Sequence, residues 1–119
     1  MYYIQKEFRF SASHQLDDLP DDHQCARLHG HNYRVLLHLA SPTLDEVGFV
    51  VDFGDLVKFR EFLDVQFDHQ HLNDRVPNGM NPTAENLARY LYEVASRLWP
   101  QTRAVGVEET LTSYAEYRP

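Results

Sequence analysis

Three histidines stand where a pair of β-strands would bring them together. His29 and His31 are two residues apart in a stretch that alternates apolar and polar residues, and His14 closes an earlier stretch of the same kind. Successive side chains of a strand point to opposite faces, so His29 and His31 point the same way. If the two strands pair antiparallel, the end of the first lies beside the start of the second. Three protein ligands with an open fourth position are typical of catalytic zinc sites.

Cys25 is the only cysteine, and it lies four residues before His29. As a fourth ligand it would close the zinc site and make the site structural. As a thiolate near the metal it would act as a base or a nucleophile. It could also be a small buried hydrophobic residue, although its acidic, polar loop is not an obvious part of a core. The residues alone leave the first two interpretations open.

Two further groups could take part in proton transfer or in ligand binding. Asp68 precedes His69, and a carboxylate beside an imidazole can orient the ring or raise its pKa. The same pair would also suit a helix C-terminus, where a cationic histidine interacts favourably with the dipole. Glu109 shares a strand face with Val105 and Val107. Its carboxylate is therefore expected to point inward, where it needs an arginine or a ligand with two parallel N–H donors.

The elements that must position these residues follow the order ββααββ. Alternation predicts strands over residues 2–14 and 29–40, and two further strands close the chain at 103–110 and about 112–117. Between them, a helix is expected after Asp52, its N-cap, and a second helix after residues 81–83. The stripe that predicts the second helix consists of Leu87, Leu91, Val94 and Leu98. This order implies an α+β fold, a four-stranded antiparallel sheet with both helices packed on one face.

Two other histidines fall outside this arrangement. His38 faces away from the core on the second strand, and His23 lies in the long acidic loop 15–28. Both are expected to be solvated, because neither has an evident partner. The small open sheet leaves edge strands that must be covered or paired, and we expect the chain to form oligomers through them.

Composition excludes several classes of function. A chain of 119 residues predicts a single domain over residues 1–119. Its formal net charge of −7 makes it a poor general binder of nucleic acid or of anionic membranes. No apolar run approaches the ~20 residues of a membrane span, and the N-terminus does not look like a signal peptide. We therefore expect a cytoplasmic protein with no nucleic-acid or membrane partner.

Six short motifs occur along the chain in a fixed order. They are Phe-x-Ala-x-His at 10–14, Cys-x-x-x-His-Gly-His at 25–31, Gly-Phe-Val-Val-Asp-Phe at 48–53, Asp-His-x-x-Leu-Asn-Asp at 68–74, Asn-Pro-Thr-x-Glu at 81–85 and Glu-Thr at 109–110. In these motifs the chain resembles the 6-pyruvoyl-tetrahydropterin synthase family over essentially its whole length. The resemblance implies the tunnelling fold. It also implies hexamers built from two face-to-face trimers, with active sites at subunit interfaces.

The resemblance also assigns roles to residues of these motifs. The implied zinc ligands are His14, His29 and His31, and the implied catalytic residues are Cys25, Asp68 and His69. Glu109 matches the carboxylate that grips the pterin ring, whose 2-amino and ring N–H groups form a fork suited to a carboxylate. Arg27, in the spacer of the cysteine motif, is the candidate for binding a triphosphate. His71 remains an alternative to His69, because Gln70-His71 stands where relatives often have His-Tyr.

The three-residue spacer between the cysteine and His-Gly-His is similar to the branch of the family that forms 6-carboxy-5,6,7,8-tetrahydropterin. That branch implies a Zn²⁺-dependent lyase of queuosine biosynthesis. It would convert 7,8-dihydroneopterin triphosphate to the carboxy product, acetaldehyde and triphosphate. One alternative is the pyruvoyl-forming reaction, which leaves the side chain uncut. Others are a zinc hydrolase or hydratase in which Cys25 is incidental, and a non-catalytic protein with a structural Cys-His₃ site.

Overall fold

The computed structural model describes residues 1–119 and has the order ββααββ. Its strands and helices are β1 (Tyr2–His14), β2 (His29–Ser41), α1 (Val57–Gln66), α2 (Ala84–Leu98), β3 (Thr102–Thr110) and β4 (Ser113–Tyr117). The four strands form one sheet in the order β1-β2-β3-β4, and every neighbouring pair is antiparallel. The predicted α+β fold is confirmed, and the strand boundaries agree with the alternation to within about a residue.

The ladder between β1 and β2 positions the histidines. It runs without a register shift from Tyr2 opposite Ser41 to His14 opposite His29. Because side chains alternate along each strand, one face of this ladder is apolar along most of its length and ends in histidines. The long loop of residues 15–28 therefore begins and ends at the same end of the sheet.

The core lies between this apolar face and the two helices. Phe8 on β1 meets Phe59 of α1 edge-to-face, with ring centroids 5.1 Å apart. Phe10 stacks on Tyr33 of β2 at 4.8 Å and also touches Phe67 at the end of α1. Aromatic pairs of this kind bury large areas and add ~1 kcal/mol beyond that burial. These pairs extend the packed core along β1 and β2 toward the histidines.

Helix α2 begins after a side-chain cap and ends at Leu98, with Trp99 as its C-cap. The hydroxyl of Thr83 accepts a hydrogen bond from the Asn86 N–H at 3.2 Å, as an N-cap should. Leu98 was predicted to belong to the buried stripe but is 43% exposed. It lies in the groove between α1 and α2, and Ala95 takes the buried position instead. Neither helix has the length and hydropathy that crossing a membrane requires.

The start of α1 differs from the prediction. Asp52 is a cap, but it caps a 3-10 turn over Phe53–Leu56 by accepting a hydrogen bond from the Gly54 N–H at 2.8 Å. The α-helix proper begins after this turn, at Val57. A capping carboxylate can satisfy the free N–H groups of an α-helix or of a 3-10 helix. The Asp52 cap therefore predicted the position at which a helical turn begins, but not the type of that turn.

Candidate functional site

The ladder brings the three histidines together at the end of the core. His14 and His29 are direct cross-strand partners, and His31 lies two residues further along β2. One ring nitrogen from each residue lies within 4.8 Å of the other two. The closest pair is the Nε2 atoms of His14 and His29, which are 2.8 Å apart. The convergence expected from the alternation is therefore present in the structure.

Backbone carbonyls decide which nitrogen two of these rings present. His14 Nδ1 lies 2.9 Å from the carbonyl oxygen of Pro82, and His29 Nδ1 lies 2.7 Å from that of Arg27. A carbonyl only accepts, so both Nδ1 atoms carry their ring's proton and both Nε2 atoms are bare in the neutral rings. Two bare lone pairs facing each other at 2.8 Å repel, unless a cation lies between or beside them. Metal-binding histidines commonly donate their second ring N–H in this way.

His31 completes a donor set that fits a metal ion. Its Nε2 is buried without a hydrogen-bond partner, and it lies 3.4 Å from Oε1 of Glu109. Burial lowers the pKa of His14 and of His31, which keeps both rings in the neutral form that binds metals. Three neutral imidazoles suit zinc and other divalent first-row ions. The residues present therefore fit the metal that the motifs imply.

Tyr33 and Pro82 are site residues that received no role from the sequence. The Tyr33 hydroxyl lies 3.2 Å from His14 Nδ1, and its ring stands edge-on to His14 and His31. Burial raises the pKa of Tyr33, so its hydroxyl keeps its proton. Tyr33 follows His31 by two residues on the same face of β2, and this spacing is a signal that could have identified it.

Cys25 and Glu109 share a cavity of about 430 Å³ with two of the histidines. The lining residues are Gln24, Cys25, His29, His31, Glu109, Thr110 and Ser113. Cys25 lies outside the group of converging ligand atoms, so the closed Cys-His₃ site is not formed. The Glu109 side chain is 22% exposed and makes no hydrogen bond within the chain. The cavity thus presents a thiol, a carboxylate and a candidate metal site to one ligand.

Cys25 sits in a 3-10 turn over Gln24–Ala26 that His23 caps. His23 Nδ1 accepts a hydrogen bond from the Cys25 N–H at 3.0 Å. His23 was expected to be solvated without a partner; the residue is exposed, but its ring nitrogen is engaged. Because histidine is not one of the preferred capping residues, little in the sequence indicated this contact.

Asp68 and His69 form a pair at the outer edge of β1. One oxygen of Asp68 accepts the Ser11 N–H at 3.0 Å, and the other lies 3.0 Å from His69 Nδ1. The Ser11 N–H is the main cause that lowers the pKa of Asp68, and His69 contributes further. His69 has a φ of +58° and an 82% exposed side chain. The backbone of β1 thus holds the Asp68 carboxylate, while the His69 side chain extends into solvent.

The histidines of this edge line a different cavity from Cys25. This second cavity, of about 490 Å³, is polar and lies beside the ends of β1 and β2. His69 and His71 line it, and His31 borders both cavities. His71 Nδ1 is 2.9 Å from the Ser13 hydroxyl, which ties its ring to β1. The structure therefore brings Cys25, Glu109 and the three ligand histidines together and leaves Asp68 and His69 apart from Cys25.

Arg27 and His38 lie outside both cavities. The Arg27 side chain is exposed and has no ion-pair partner in the chain, while its carbonyl orients His29. His38 was expected to be solvated, but it is half-buried on the opposite face of the sheet. Its Nε2 has no hydrogen-bond partner and lies 3.4 Å from Glu116 Oε1. Burial lowers the pKa of His38, because β3 and β4 extend the sheet beside it.

The family model of 6-pyruvoyl tetrahydropterin synthase matches residues 3–119. The chain belongs to the 6-pyruvoyl tetrahydropterin synthase family. The resemblance seen in the six motifs is thereby confirmed, as is the prediction of a lyase-type enzyme that processes a pterin.

Individual members of the 6-pyruvoyl tetrahydropterin synthase family match over nearly the full length. A 6-carboxy-5,6,7,8-tetrahydropterin synthase of Synechocystis sp. is 36% identical over 124 residues, covering 98% of this chain and 93% of the relative. A 6-carboxy-5,6,7,8-tetrahydropterin synthase of Bacillus subtilis is 32% identical, and the match covers 99% of this chain and 86% of the relative. The solved structure of Caenorhabditis elegans 6-pyruvoyl tetrahydropterin synthase is 26% identical in sequence and has a TM-score of 0.87. This match covers 99% of this chain and 95% of the solved chain. The tunnelling fold predicted from the motifs is the fold of the chain.

Proposed function

We propose that the chain is a cytoplasmic, zinc-dependent 6-carboxy-5,6,7,8-tetrahydropterin synthase of queuosine (7-deazapurine) biosynthesis. It would convert 7,8-dihydroneopterin triphosphate and water to 6-carboxy-5,6,7,8-tetrahydropterin, acetaldehyde and triphosphate. The observation that carries the proposal is the single cavity in which Cys25 and Glu109 face a converging histidine triad. The short spacer before His29 and the names of the curated relatives support the carboxy-forming outcome.

The proposed metal ligands are His14, His29 and His31, each through Nε2. Bound there, Zn²⁺ would act as a Lewis acid toward side-chain oxygens of the substrate and make neighbouring protons more acidic. The protein's contribution is to hold the three rings in place with Nε2 free. The carbonyls of Pro82 and Arg27 do this for His14 and His29, because each fixes the proton on Nδ1.

Glu109 is the proposed anchor of the pterin ring. When His31 Nε2 ligates a cation it carries no proton, and Glu109 then has no donor within the chain. A pterin supplies the missing donors, because its 2-amino group and ring N–H lie side by side and match the two carboxylate oxygens. A ring held in this way keeps the reacting side chain within reach of Cys25 in the same cavity.

Cys25 and His69 are the proposed acid–base residues. Cys25, as the thiolate, removes a proton from a side-chain carbon of the substrate. His69, oriented by Asp68 at 3.0 Å, exchanges a proton with a side-chain oxygen. These transfers move the double bond from the ring to the side chain, after which triphosphate leaves. Water then adds as the carbon chain is cleaved, which gives the carboxylate and acetaldehyde. Arg27, which is free of internal ion pairs, is the proposed cation for the triphosphate.

The active site would be completed by a second copy of the chain. Asp68 and His69 lie at the β1 edge, whereas the cavity of Cys25 reaches Ser113 at the start of β4, the opposite edge. The outward backbone groups of β1 over Tyr3–Glu7 have no partner in the chain, and β4 has no neighbour on its outer side. Pairing β1 of one copy with β4 of the next is heterologous, and such an interface builds a ring when the rotation between copies closes. Each interface would then join His69 to a neighbour's Cys25, in keeping with the hexamer that the resemblance implies.

Mixing two inactive variants tests the shared site. Cys25→Ala and His69→Ala are each expected to abolish turnover alone. If the two residues act across an interface, random reassembly of equal amounts leaves about a quarter of the interfaces with both residues intact. Turnover should therefore return to about a quarter of the wild-type rate. No recovery, with mixed oligomers demonstrated by mass spectrometry, would mean that one chain supplies the whole site.

Cys25→Ala also separates the proposal from the metal-hydroxide alternative. The variant is expected to keep its zinc, because the three histidines form the ligand set without sulfur, and to lose turnover. Zinc content is measured by elemental analysis beside the rate. Loss of zinc would make Cys25 a ligand, and surviving turnover would make the thiol incidental.

Product analysis decides which reaction the site performs. Zinc-loaded protein is given 7,8-dihydroneopterin triphosphate, and the products are identified by mass spectrometry together with an acetaldehyde assay. Carboxy-tetrahydropterin with acetaldehyde is the expected result. Pyruvoyl-tetrahydropterin without acetaldehyde would assign the chain to the other reaction of its family. No pterin turnover by folded, zinc-loaded protein would reject the proposal.

A further inference from the structure

Toward the end of β1, the outward backbone N–H groups have partners within the chain. Every second residue turns its backbone N–H outward along this edge. The N–H of Ser11 is bound by the Asp68 carboxylate, and that of Ser13 by the carbonyl of Gln70. The outward direction of every second N–H continues past His14 into the loop 15–28. There, no neighbouring backbone segment accepts these N–H groups on the outer side.

Two asparagine side chains take the place of the missing backbone. Asn73 accepts the Gln15 N–H at 2.9 Å and donates to the Gln15 carbonyl at 2.8 Å. Asn81 binds Asp17 in the same way, at 2.9 and 3.1 Å. A primary amide offers one acceptor and a donor at the spacing of a peptide group, so each asparagine pairs as a residue of a neighbouring strand would. We call these two pairs of hydrogen bonds the asparagine clasps.

The opposite side of the clasped segment holds Cys25. Leu16, between the two clasped residues, turns its N–H inward and donates to the Cys25 carbonyl at 2.9 Å. The Gln15 side chain donates to the Ala26 carbonyl at 3.3 Å. The turn that carries Cys25 buries none of its own residues in the core. These hydrogen bonds, with the His23 cap, are therefore the main polar restraints on the position of the thiol.

The loop 15–28 carries a concentration of negative charge that these restraints oppose. The loop contains four carboxylates within six residues, at Asp17, Asp18, Asp21 and Asp22. Like charges at this spacing repel one another and favour an open, extended loop. Neither asparagine belongs to the hydrophobic core, and neither contacts the ligand histidines through its side chain. The clasps thus act on the loop and not on the packing of the domain.

We propose that Asn73 and Asn81 are positioning residues that hold Cys25 in its cavity through Leu16. The inference rests on the proposed function in one respect, that Cys25 is the reactive thiol. Both asparagines belong to motifs noted in the sequence, and the proposed chemistry gives neither a role. Displacement of a reacting group by about 1 Å can cost about a hundredfold in rate. Removing one clasp is therefore expected to lower kcat by about 10-fold to 100-fold.

The test compares Asn73→Ala and Asn81→Ala with Asn78→Ala, a matched control. Asn78 is exposed in the same connection and makes no side-chain hydrogen bond. We expect each clasp variant to lose hydrogen-exchange protection at the Leu16 amide, to change the alkylation rate of Cys25 by iodoacetamide several-fold, and to lower kcat. KM and zinc content are expected to be unchanged, because the clasps bind backbone groups of Gln15 and Asp17 and contact neither Glu109 nor the side chains of the histidines.

Several results would overturn the inference. These are loss of Leu16 protection with unchanged thiol reactivity and kcat, loss of zinc from the clasp variants, or an equal effect of Asn78→Ala. If Asn81→Ala does not fold, Asn81→Asp replaces it; this variant keeps the acceptor for the Asp17 N–H, loses the donor, and is expected to show the same pattern. If the wild-type protein does not turn over the pterin, the proposed function fails separately. Leu16 exchange and Cys25 alkylation then still decide whether the clasps position the thiol.

Discussion

At the scale of single residues, the site depends on which nitrogen each ligand histidine offers. The carbonyls that set this choice for His14 and His29 come from Pro82 and Arg27, in two different connections. A substitution changes a side chain and leaves the backbone carbonyl in place. Substitutions in these two connections should therefore preserve the tautomers of His14 and His29, provided that the backbone conformation is unchanged. Through Pro82, the motif at Asn81–Glu85 contacts the candidate metal site although it is distant from both strands in sequence.

Removing one ligand is expected to abolish tight metal binding. His29→Ala should lower the affinity for Zn²⁺ by a hundredfold or more, since loss of even a supporting contact costs about 10-fold to 100-fold. Competition with a chromogenic chelator measures the affinity. His38→Ala is the matched control, because His38 lies on the same strand but faces the other way. Equal losses in the two variants would contradict the assignment of the ligands.

Replacing Asp68 by asparagine is expected to impair catalysis without unfolding the protein. The amide oxygen introduced by Asp68→Asn would still accept the Ser11 N–H, but the negative charge 3.0 Å from His69 would be lost. General acid–base residues contribute about 10²-fold to 10⁴-fold, and we expect a loss of kcat within that range. Asp64→Asn, at an exposed carboxylate of α1, is the control. A raised KM with unchanged kcat would instead assign Asp68 to substrate binding.

Residue identities predicted the cluster of three histidines better than they predicted its neighbours. The period-two spacing of His29 and His31 is local, and so the alternation alone brings their rings together. The contacts of Asn73 and Asn81 join residues 58 and 64 positions apart, a separation at which no local pattern carries information. His38 was predicted wrongly for the same reason, since Glu116 lies on another strand.

At the scale of elements, one glycine of β3 accommodates a side chain of β4. The Tyr114 ring lies over Gly106, and a Cβ at position 106 would collide with the phenol group. Tyr114 also donates to Glu116 at 3.0 Å. The Tyr114 ring can therefore pack against β3 only because position 106 has no side chain.

Gly106→Ala is expected to destabilise the protein by about 1–3 kcal/mol, because the added methyl displaces the Tyr114 ring. The loss should be smaller in a Tyr114→Ala background, where the collision is absent. Urea denaturation of the wild type, both single variants and the double variant measures the coupling. Additivity within about 0.5 kcal/mol would mean that the ring yields freely.

The elements themselves follow from the sequence more closely than their ends do. The strands β1 and β2 were predicted because each buries one face, which imposes strict alternation. The beginning of α1 was predicted less well, because the Asp52 cap serves a 3-10 turn first. The burial of Leu98 was predicted wrongly. Helical periodicity gives the direction of a side chain, but it does not show whether a neighbouring element extends far enough to cover that side chain.

At the scale of the whole molecule, buried neutral histidines couple stability to pH. Burial lowers the pKa of His14, His31 and His38 in the folded protein, against the opposing effects of Glu109 and Glu116. The unfolded chain takes up protons at these residues below a pH of about 6.5, before the folded chain does. The free energy of unfolding of the metal-free protein should therefore fall as the pH drops below that value.

Chemical denaturation in the presence of a chelator, between about pH 8 and pH 5.5, measures this dependence. His38→Gln should make it shallower by removing one of the three protons without touching the metal site. A depressed carboxyl pKa such as that of Asp68 acts only at lower pH, below about 4, so the two effects are separable. Equal stability across the range would show that the histidines titrate alike in both states.

The regular ladder between β1 and β2 also determines where a gene for this protein can gain or lose codons. One residue inserted into either strand would turn every side chain beyond it to the other face, and His29 and His31 could no longer meet His14. The connection between the strands carries no such constraint, since doubling the length of a loop costs only about 0.6 kcal/mol. Natural variation in length is therefore expected around residues 18–22 and is expected to be absent from both strands.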